Sequence, residues 1–423
     1  MLLSSSPRDA ARGFYGWPML AGLSLAQVVS WGVLFYSFAV FVRPIEAETG
    51  WTRSQVTGAL SVALLVSGVA SVVVGHWLDA RGARGLMTAG SVAGCVVLLA
   101  LARTTSLAAF YALWAGLGVA MAMVLYEPAF AVVATWFVRH RDRALTILTL
   151  VGGLASTVVV PIASWLVEVR GWRWACTALA ILLGVTTVPI HALMLRRSPA
   201  AVGQWPDGDD APGTSSAHTD PADLRPVLAT GRFWGLTVAF ALSSFVSVAA
   251  CVHLIPYLGE RHYSPMAAGM VLGLLGLMQL PGRIAYAPLR RGLEWYQAAG
   301  AVFLIQAAAI AALLASPGIP ALVAFVCLFG MASGMATLLR ASTVGELYGT
   351  RLYGRVGGVV ALFGTCGRAA GPVTAALLLA ASHSYALTFA ALAATLFVAA
   401  LLVVLPERLT PLRSVSTTAS EST

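Results

Sequence analysis

Glu127, Arg283 and Arg368 stand inside long apolar runs, and Arg340 lies nearer the end of another. An ionised group in hydrocarbon costs about 2.5 to 3.5 kcal/mol on insertion scales, so each needs a partner or a wet cavity. A guanidinium is a planar fork matched to two oxygens, and two of them converging from neighbouring helices would hold a carboxylate. Arg283 and Arg368 are therefore read as substrate-binding residues for an anion. Gln279 precedes Arg283 by four residues on the same helical face, placed to share that ligand or to hold the guanidinium. Tyr126 is a further substrate-binding candidate, with Gln27 and Trp31 as cavity residues. Glu127, in Leu125-Tyr126-Glu127-Pro128, is a carboxylate placed to carry a proton. The competing reading is a fixed bridge from Glu127 to Arg340 or Arg368. His253 is a second proton-coupling candidate, because imidazole changes charge near neutral pH, or else a hydrogen-bonded packing residue.

No constellation for bond-making chemistry competes with these residues. The chain lacks a His-Glu-x-x-His pair, a Walker loop, a nucleophile elbow and a paired-carboxylate cleft, so neither catalysis nor direct ATP-driven pumping is expected. Cys95, Cys176, Cys251, Cys327 and Cys366 all lie in apolar runs without metal-ligand spacing and read as packing residues. No metal or cofactor is expected. The net charge of +9 comes entirely from arginine and is scattered between apolar runs rather than gathered on one face, which argues against nucleic acid as a partner.

The elements that must position these side chains are membrane helices. A chain of 423 residues that is 59% hydrophobic and 10% charged has too little polar surface for a soluble globule. Its apolar runs, about 18 to 31 residues long, match an α-helix crossing about 30 Å of hydrocarbon and lack the alternation of barrel strands. The expected fold is all-α and polytopic. Six spans fall near 17–42, 54–77, 86–103, 107–137, 144–168 and 172–195. Six more fall near 233–258, 264–289, 295–315, 320–345, 355–381 and 384–405.

Arg8 and Arg12 precede the first span, and no cleavable signal is evident. Even-numbered connections carry Arg81 and Arg84, Arg139 to Arg143, Arg196 and Arg197, Arg290 and Arg291, and Arg351 with Arg355. Odd-numbered ones carry fewer. The bias predicts cytoplasmic N- and C-termini. Residues 196–231, with Asp207-Gly208-Asp209-Asp210 and Pro212-Gly213, read as a flexible cytosolic linker between a bundle over 1–195 and one over 232–406. Residues 407–423 read as a disordered tail. A displacement of about 210 residues lays Pro161 beside Pro372 and Gly75–Gly82 over Ala285–Gly292, so the two six-helix bundles look like weak parallel repeats.

Between spans 2 and 3, Gly75-x-x-x-Asp79-x-x-Gly82-x-Arg84 resembles the signature of the major facilitator superfamily. Trp136-Phe137-x-Arg139-x-Arg141, Gly171-Trp172-Arg173, Gly282-Arg283 and Tyr15-Gly16-Trp17 look like its monocarboxylate transporter and oxalate:formate antiporter branch. The chain departs from that branch at Arg143-Ala144-Leu145-Thr146 and in having no lysine in span 1 or 11. The resemblance implies a span 8 arginine for an anionic substrate and a second cation from span 11, the helices of Arg283 and Arg368. It also implies a gate built from Gly75, Asp79, Arg81, Gly82 and Arg84 with Arg139 and Arg143, Asp79 holding either the Arg139 to Arg143 cluster or the start of span 11.

The expected function is secondary active transport of a small organic anion, a carboxylate by preference, by alternating access with a proton or by exchange. A proton-driven efflux pump for amphipathic compounds is the nearer rival. A membrane sensor on a transporter fold is the further one. The all-arginine basicity and alanine-rich spans point to a bacterial inner membrane.

Overall fold

The computed structural model describes residues 13–209, 223–316 and 318–409. Arg8 and Arg12, the middle of the expected linker and the tail from 410 lie outside them. Among the described residues the chain is helical, with eleven segments long and apolar enough to span a bilayer. One of these, Arg141–Met194, is interrupted at Gly171, whose φ of +80° only glycine adopts without strain. Gly22 lies against Ile190 and Met194, Gly32 against Val159, and Glu48 accepts hydrogen bonds from Trp172 and Arg173. The segment therefore doubles back at Gly171, and the chain crosses twelve times.

We number the crossings α1 (Gly16–Thr49), α2 (Arg53–Arg81), α3 (Ala83–Leu101), α4 (Leu107–Trp136), α5 (141–170) and α6 (172–194). The second half holds α7 (Gly231–Glu260), α8 (Met266–Arg291), α9 (Trp295–Ala315), α10 (Ile319–Tyr348), α11 (Tyr353–Ser382) and α12 (Tyr385–Pro406). Helices are the outcome because hydrocarbon offers no partner to backbone N–H and C=O groups, which must be satisfied within each segment. Their starts are marked at the water boundary. Thr52 and Gln55 form a capping box on α2, Glu294 and Gln297 another on α9, and Thr230 and Ser264 cap α7 and α8.

The apolar packing shows how the halves meet. At the end bearing residues 196–209, hereafter the linker end, one core runs through both halves, from Met19, Leu78 and Phe130 to Tyr286, Leu338 and Val356. Toward the opposite end the core splits. One cluster, with Phe38, Phe110 and Trp172, belongs to the first half alone, and another, with Leu254, Phe325 and Phe389, to the second alone. The two bundles are joined at the linker end and separate beyond it.

The joint is closest between α2 and α11. A Cβ on Gly75 would overlap the Gly354 carbonyl, and one on Gly358 would overlap that of Ser71. The Ser71 hydroxyl donates to the Gly358 carbonyl at 2.8 Å. Asp79 closes the contact by accepting from the backbone N–H groups of Gly354 at 2.7 Å and Arg355 at 2.9 Å. Of the two partners expected for Asp79, the start of α11 is the one it holds. Arg139 instead pairs with Asp209, and Arg143 lies over the Trp17 ring. Arg81 covers Trp77, and Arg84 donates to the Ala192 carbonyl, so these two brace the first half internally.

The expected linker begins with contacts to the first half. Gln204 accepts from the Tyr15 N–H at 3.0 Å, and the Asp207 carboxylate accepts from the backbone N–H groups of Val138, Arg139 and His140. Those N–H groups lie in the turn just before α5 and belong to no helix, and a carboxylate beside a helix N-terminus is on the favourable side of its dipole.

The α2–α11 contact makes a direct prediction. Gly75→Ala should lower the thermal unfolding midpoint, since overpacking costs about 1 to 3 kcal/mol, while Gly85→Ala, where an added Cβ meets nothing within 4 Å, should not. Equal midpoints for the two variants would contradict the packing described.

Candidate functional site

The site begins with a break in α4. Leu125 is extended (φ −78°, ψ −155°), so the span is two helices, Leu107–Val124 and Tyr126–Trp136. Pro128 sits in the first turn of the second piece, where its missing N–H costs nothing. The interruption lies before it and exposes a new helix N-terminus inside the membrane, with Tyr126 and Glu127 in its first turn. Glu127 is suited to that position, because a helix N-terminus carries partial positive charge.

A second break lies opposite. In α5 the helix Arg141–Gly152 ends and a new one begins at Ala155. Its last carbonyls face the interior, and Thr149 O accepts from both the Gly153 N–H and the Arg283 guanidinium. A cation at a helix C-terminus is the favourable sense of the backbone dipole. Gly152 and Gly153 make the room: a Cβ on Gly152 would come within 2.7 Å of the Tyr126 hydroxyl, and one on Gly153 within 2.6 Å of an Arg283 Nη.

Arg283 is aimed there by the packing of α8. Gly282 presses against the Met331 backbone of α10, and the Gln279 backbone lies on Gly334. Residue 283 is about 100° further round the helix, which turns it from α10 toward the first half. The guanidinium is 7% exposed, lies beside the Tyr126 hydroxyl and within electrostatic reach of Tyr36, and has no carboxylate at ion-pair distance among the described residues. Its Nε has no partner there. The half-buried Gln279 is not the group that holds it, since the bond goes to Thr149.

Aromatic rings line the first-half side. Tyr126 stacks on Phe130 with centroids 5.1 Å apart, and Trp31 lies 5.0 Å from the Tyr126 ring. Trp31 is 6.2 Å from Tyr36, and its indole N–H is buried without a partner among the described residues. A π-helical turn over Gly32–Tyr36 in α1 sets the register of these rings, a local bulge of the kind often found at functional sites. Gln27 donates to the Val124 carbonyl at 2.7 Å, satisfying one of the groups left by the α4 break.

On the other side of the break, Glu127 meets Arg340 in a two-point pair, at 2.6 and 3.1 Å. Of the readings left open by the sequence, the bridge is present, and Arg340 rather than Arg368 makes it. Arg368 donates to Thr365 within its own helix at 2.6 Å and is exposed, yet feels both Glu127 and Arg340 electrostatically, as a side chain in the cleft between the halves does. The two arginines expected to converge thus have different company. Arg283 belongs with Tyr126, and Arg368 with the Glu127–Arg340 pair, one residue along the chain. His253 is not part of this group. Its Nε2–H donates to the Pro372 carbonyl at 3.1 Å near Tyr385, toward the end away from the linker.

The arrangement holds an anion better than it performs a reaction. It offers a buried cation, a hydroxyl and an unpaired indole N–H beside aromatic walls, with an ion pair spanning the halves next to it. No group of three or more histidine, cysteine or acidic side chains suited to a metal occurs among the described residues.

Comparison with known proteins agrees with the fold. The family model described as Major Facilitator Superfamily matches residues 20–372. The chain is 26% identical over 365 residues to monocarboxylate transporter 13 of Bos taurus, covering 83% of this chain and 79% of the relative. It is 26% identical over 425 residues to monocarboxylate transporter 12 of Homo sapiens, covering 91% and 78%. Among solved structures, FucP in the outward conformation superposes with a TM-score of 0.73 at 12% identity, over 92% of this chain and 99% of that one. The human organic anion transporter MFSD10 superposes with a TM-score of 0.67 at 17% identity, over 94% and 100%. The chain belongs to the major facilitator superfamily: it is a multi-pass membrane transporter of twelve helices, not an enzyme.

Proposed function

We propose that the chain moves a small organic anion, a carboxylate by preference, by alternating access between its two halves, with a proton or in exchange for a second anion. The observation that carries this is Arg283, a buried guanidinium that faces a hydroxyl and a helix C-terminus but no carboxylate among the described residues. A charge left so in low dielectric is stabilised by an arriving anion, and its fork matches two carboxylate oxygens. The names of the monocarboxylate transporters that it resembles support the same substrate class.

With the arginine-rich linker end placed in the cytoplasm, the separated end faces outward, and this form takes its substrate from outside. Opening the other way requires the α2–α11 contact at Asp79 and the Glu127–Arg340 pair to part, since both cross between the halves. Protonation of Glu127 would release Arg340, which makes this pair the coupling element of the proposal. Arg368, beside it in the cleft, supplies the second cation. The composition favours a bacterial inner membrane.

In proteoliposomes, Arg283→Gln should lower carboxylate uptake by at least about 10-fold, the loss of one charge-assisted contact, and Arg283→Lys should restore it only in part because the fork is gone. Wild-type uptake by the Gln variant at equal expression would sink the anion site.

Glu127→Gln leaves Arg340 without its counter-charge, and stability should fall by about 3 to 5 kcal/mol, with Glu127→Gln/Arg340→Met recovering much of it. If the pair couples protons, the double variant keeps anion counterflow and loses accumulation driven by an imposed pH gradient. Unchanged pH-driven accumulation in that variant would remove Glu127 from the coupling step.

A further inference from the structure

A second cationic cavity lies at the linker end, apart from Arg283 and its neighbours. It has a volume of about 210 Å³ and is walled by Asp79, Gly82, Arg196 and Arg197 of the first half and by Thr350 and Arg351 of the second. Since a water occupies about 30 Å³ of liquid, this is room for an oxyanion with several waters.

The charges in its wall do not cancel. Asp79 is already engaged by the two backbone N–H groups at the start of α11 and has Arg355 Nε at 3.8 Å. Arg196 donates to the carbonyls of Leu193 and Leu195, and Arg197 to that of Ala80. These are uncharged acceptors at the ends of α6 and α2, so both guanidinium groups keep their positive charge and have donors to spare. Arg351 is exposed, and no carboxylate lies at ion-pair distance from it among the described residues. Three arginines and Thr350 thus line one cavity beside a single, occupied carboxylate.

We propose that this cavity binds a phosphate-type oxyanion, held between Arg197 on one half and Arg351 on the other. Arginines gathered at one cavity suit a tetrahedral oxyanion, which accepts several charge-assisted hydrogen bonds at once. The oxyanion is a free phosphate from the solution at that face or the phosphate of an anionic lipid headgroup, which shares its chemistry and collects near arginine-rich membrane surfaces. The site depends neither on Arg283 nor on the transport reading.

The test uses the purified full-length chain. In neutral detergent, inorganic phosphate replacing chloride at matched ionic strength should raise the unfolding midpoint of the wild type by about 2 to 4 °C through mass action. The same rise should persist in Arg283→Gln and fall by more than half in Arg351→Gln, an exposed substitution that breaks no contact described above. In nanodiscs, phosphatidylglycerol added to phosphatidylcholine should give an Arg351-dependent rise if the headgroup is the source. An Arg351-dependent shift with either probe supports the site and identifies the source. Absence of any Arg351-dependent shift with both probes overturns it. A phosphate shift lost in Arg283→Gln but intact in Arg351→Gln overturns it too, by assigning the anion to the central site.

Discussion

The bond between the Arg283 guanidinium and the Thr149 carbonyl rests on a constraint that shapes the whole centre of the molecule. Inside a bilayer neither a charge nor a backbone polar group can be left to solvent. Interrupting α5 frees carbonyls, and a cation from the other half satisfies one of them. Interrupting α4 frees N–H groups, and Glu127 stands at that new N-terminus. Each break is stabilised by a side chain of complementary charge, and the two charged groups are not paired with each other. Glu127 takes Arg340, which leaves Arg283 held by dipoles rather than by a carboxylate among the described residues. Dipoles offset part of the desolvation cost of a guanidinium, and the remainder is what an anion can relieve.

The same bonds decide how the halves relate. Ser71 to Gly358, Asp79 to the first turn of α11, Thr149 to Arg283 and Glu127 to Arg340 all cross between the bundles, and all lie in the helix portions nearer the linker end. Beyond them the apolar core divides in two. Backbone contact through Gly75, Gly354 and Gly358 makes the α2–α11 joint tight, within an apolar core that both halves share at this end.

The sequence made much of the fold legible, because a bilayer imposes length, hydrophobicity and charge bias on each span. The twelve crossings and the turn at Gly171 follow from patterns of that sort. The candidate site was legible as a set of residues but not as an arrangement. Arg283, Arg368, Glu127 and Arg340 stand out because charge is rare in apolar runs. Which cation meets Glu127 depends on the depth and rotation of α10 relative to α11, and periodicity carries neither. The breaks were the main omission. Leu125-Tyr126-Glu127-Pro128 shows its proline openly, yet a proline is tolerated equally in a kinked span and in the first turn of a new one. Gly152-Gly153 was the available signal in α5, a glycine doublet inside a span where tertiary contacts rather than propensity set the outcome. The Asp79 partner was narrowed to two, and close backbone approach through glycine on both helices selected α11 over Arg139.

The central claim is that Arg283 is a cation awaiting an anion, and binding by the purified transporter tests it most directly. Trp31 lies against the Tyr126 ring beside the guanidinium, so its fluorescence reports on occupancy. A titration should compare a small carboxylic acid in its ionised form with its neutral amide, which has nearly the same shape. Saturable quenching by the carboxylate, at least about 10-fold tighter than by the amide and lost when Trp31 is replaced by Phe, is the predicted result, since one charge-assisted contact is worth about 1.5 to 3 kcal/mol. Equal affinity for the acid and the amide would contradict the account.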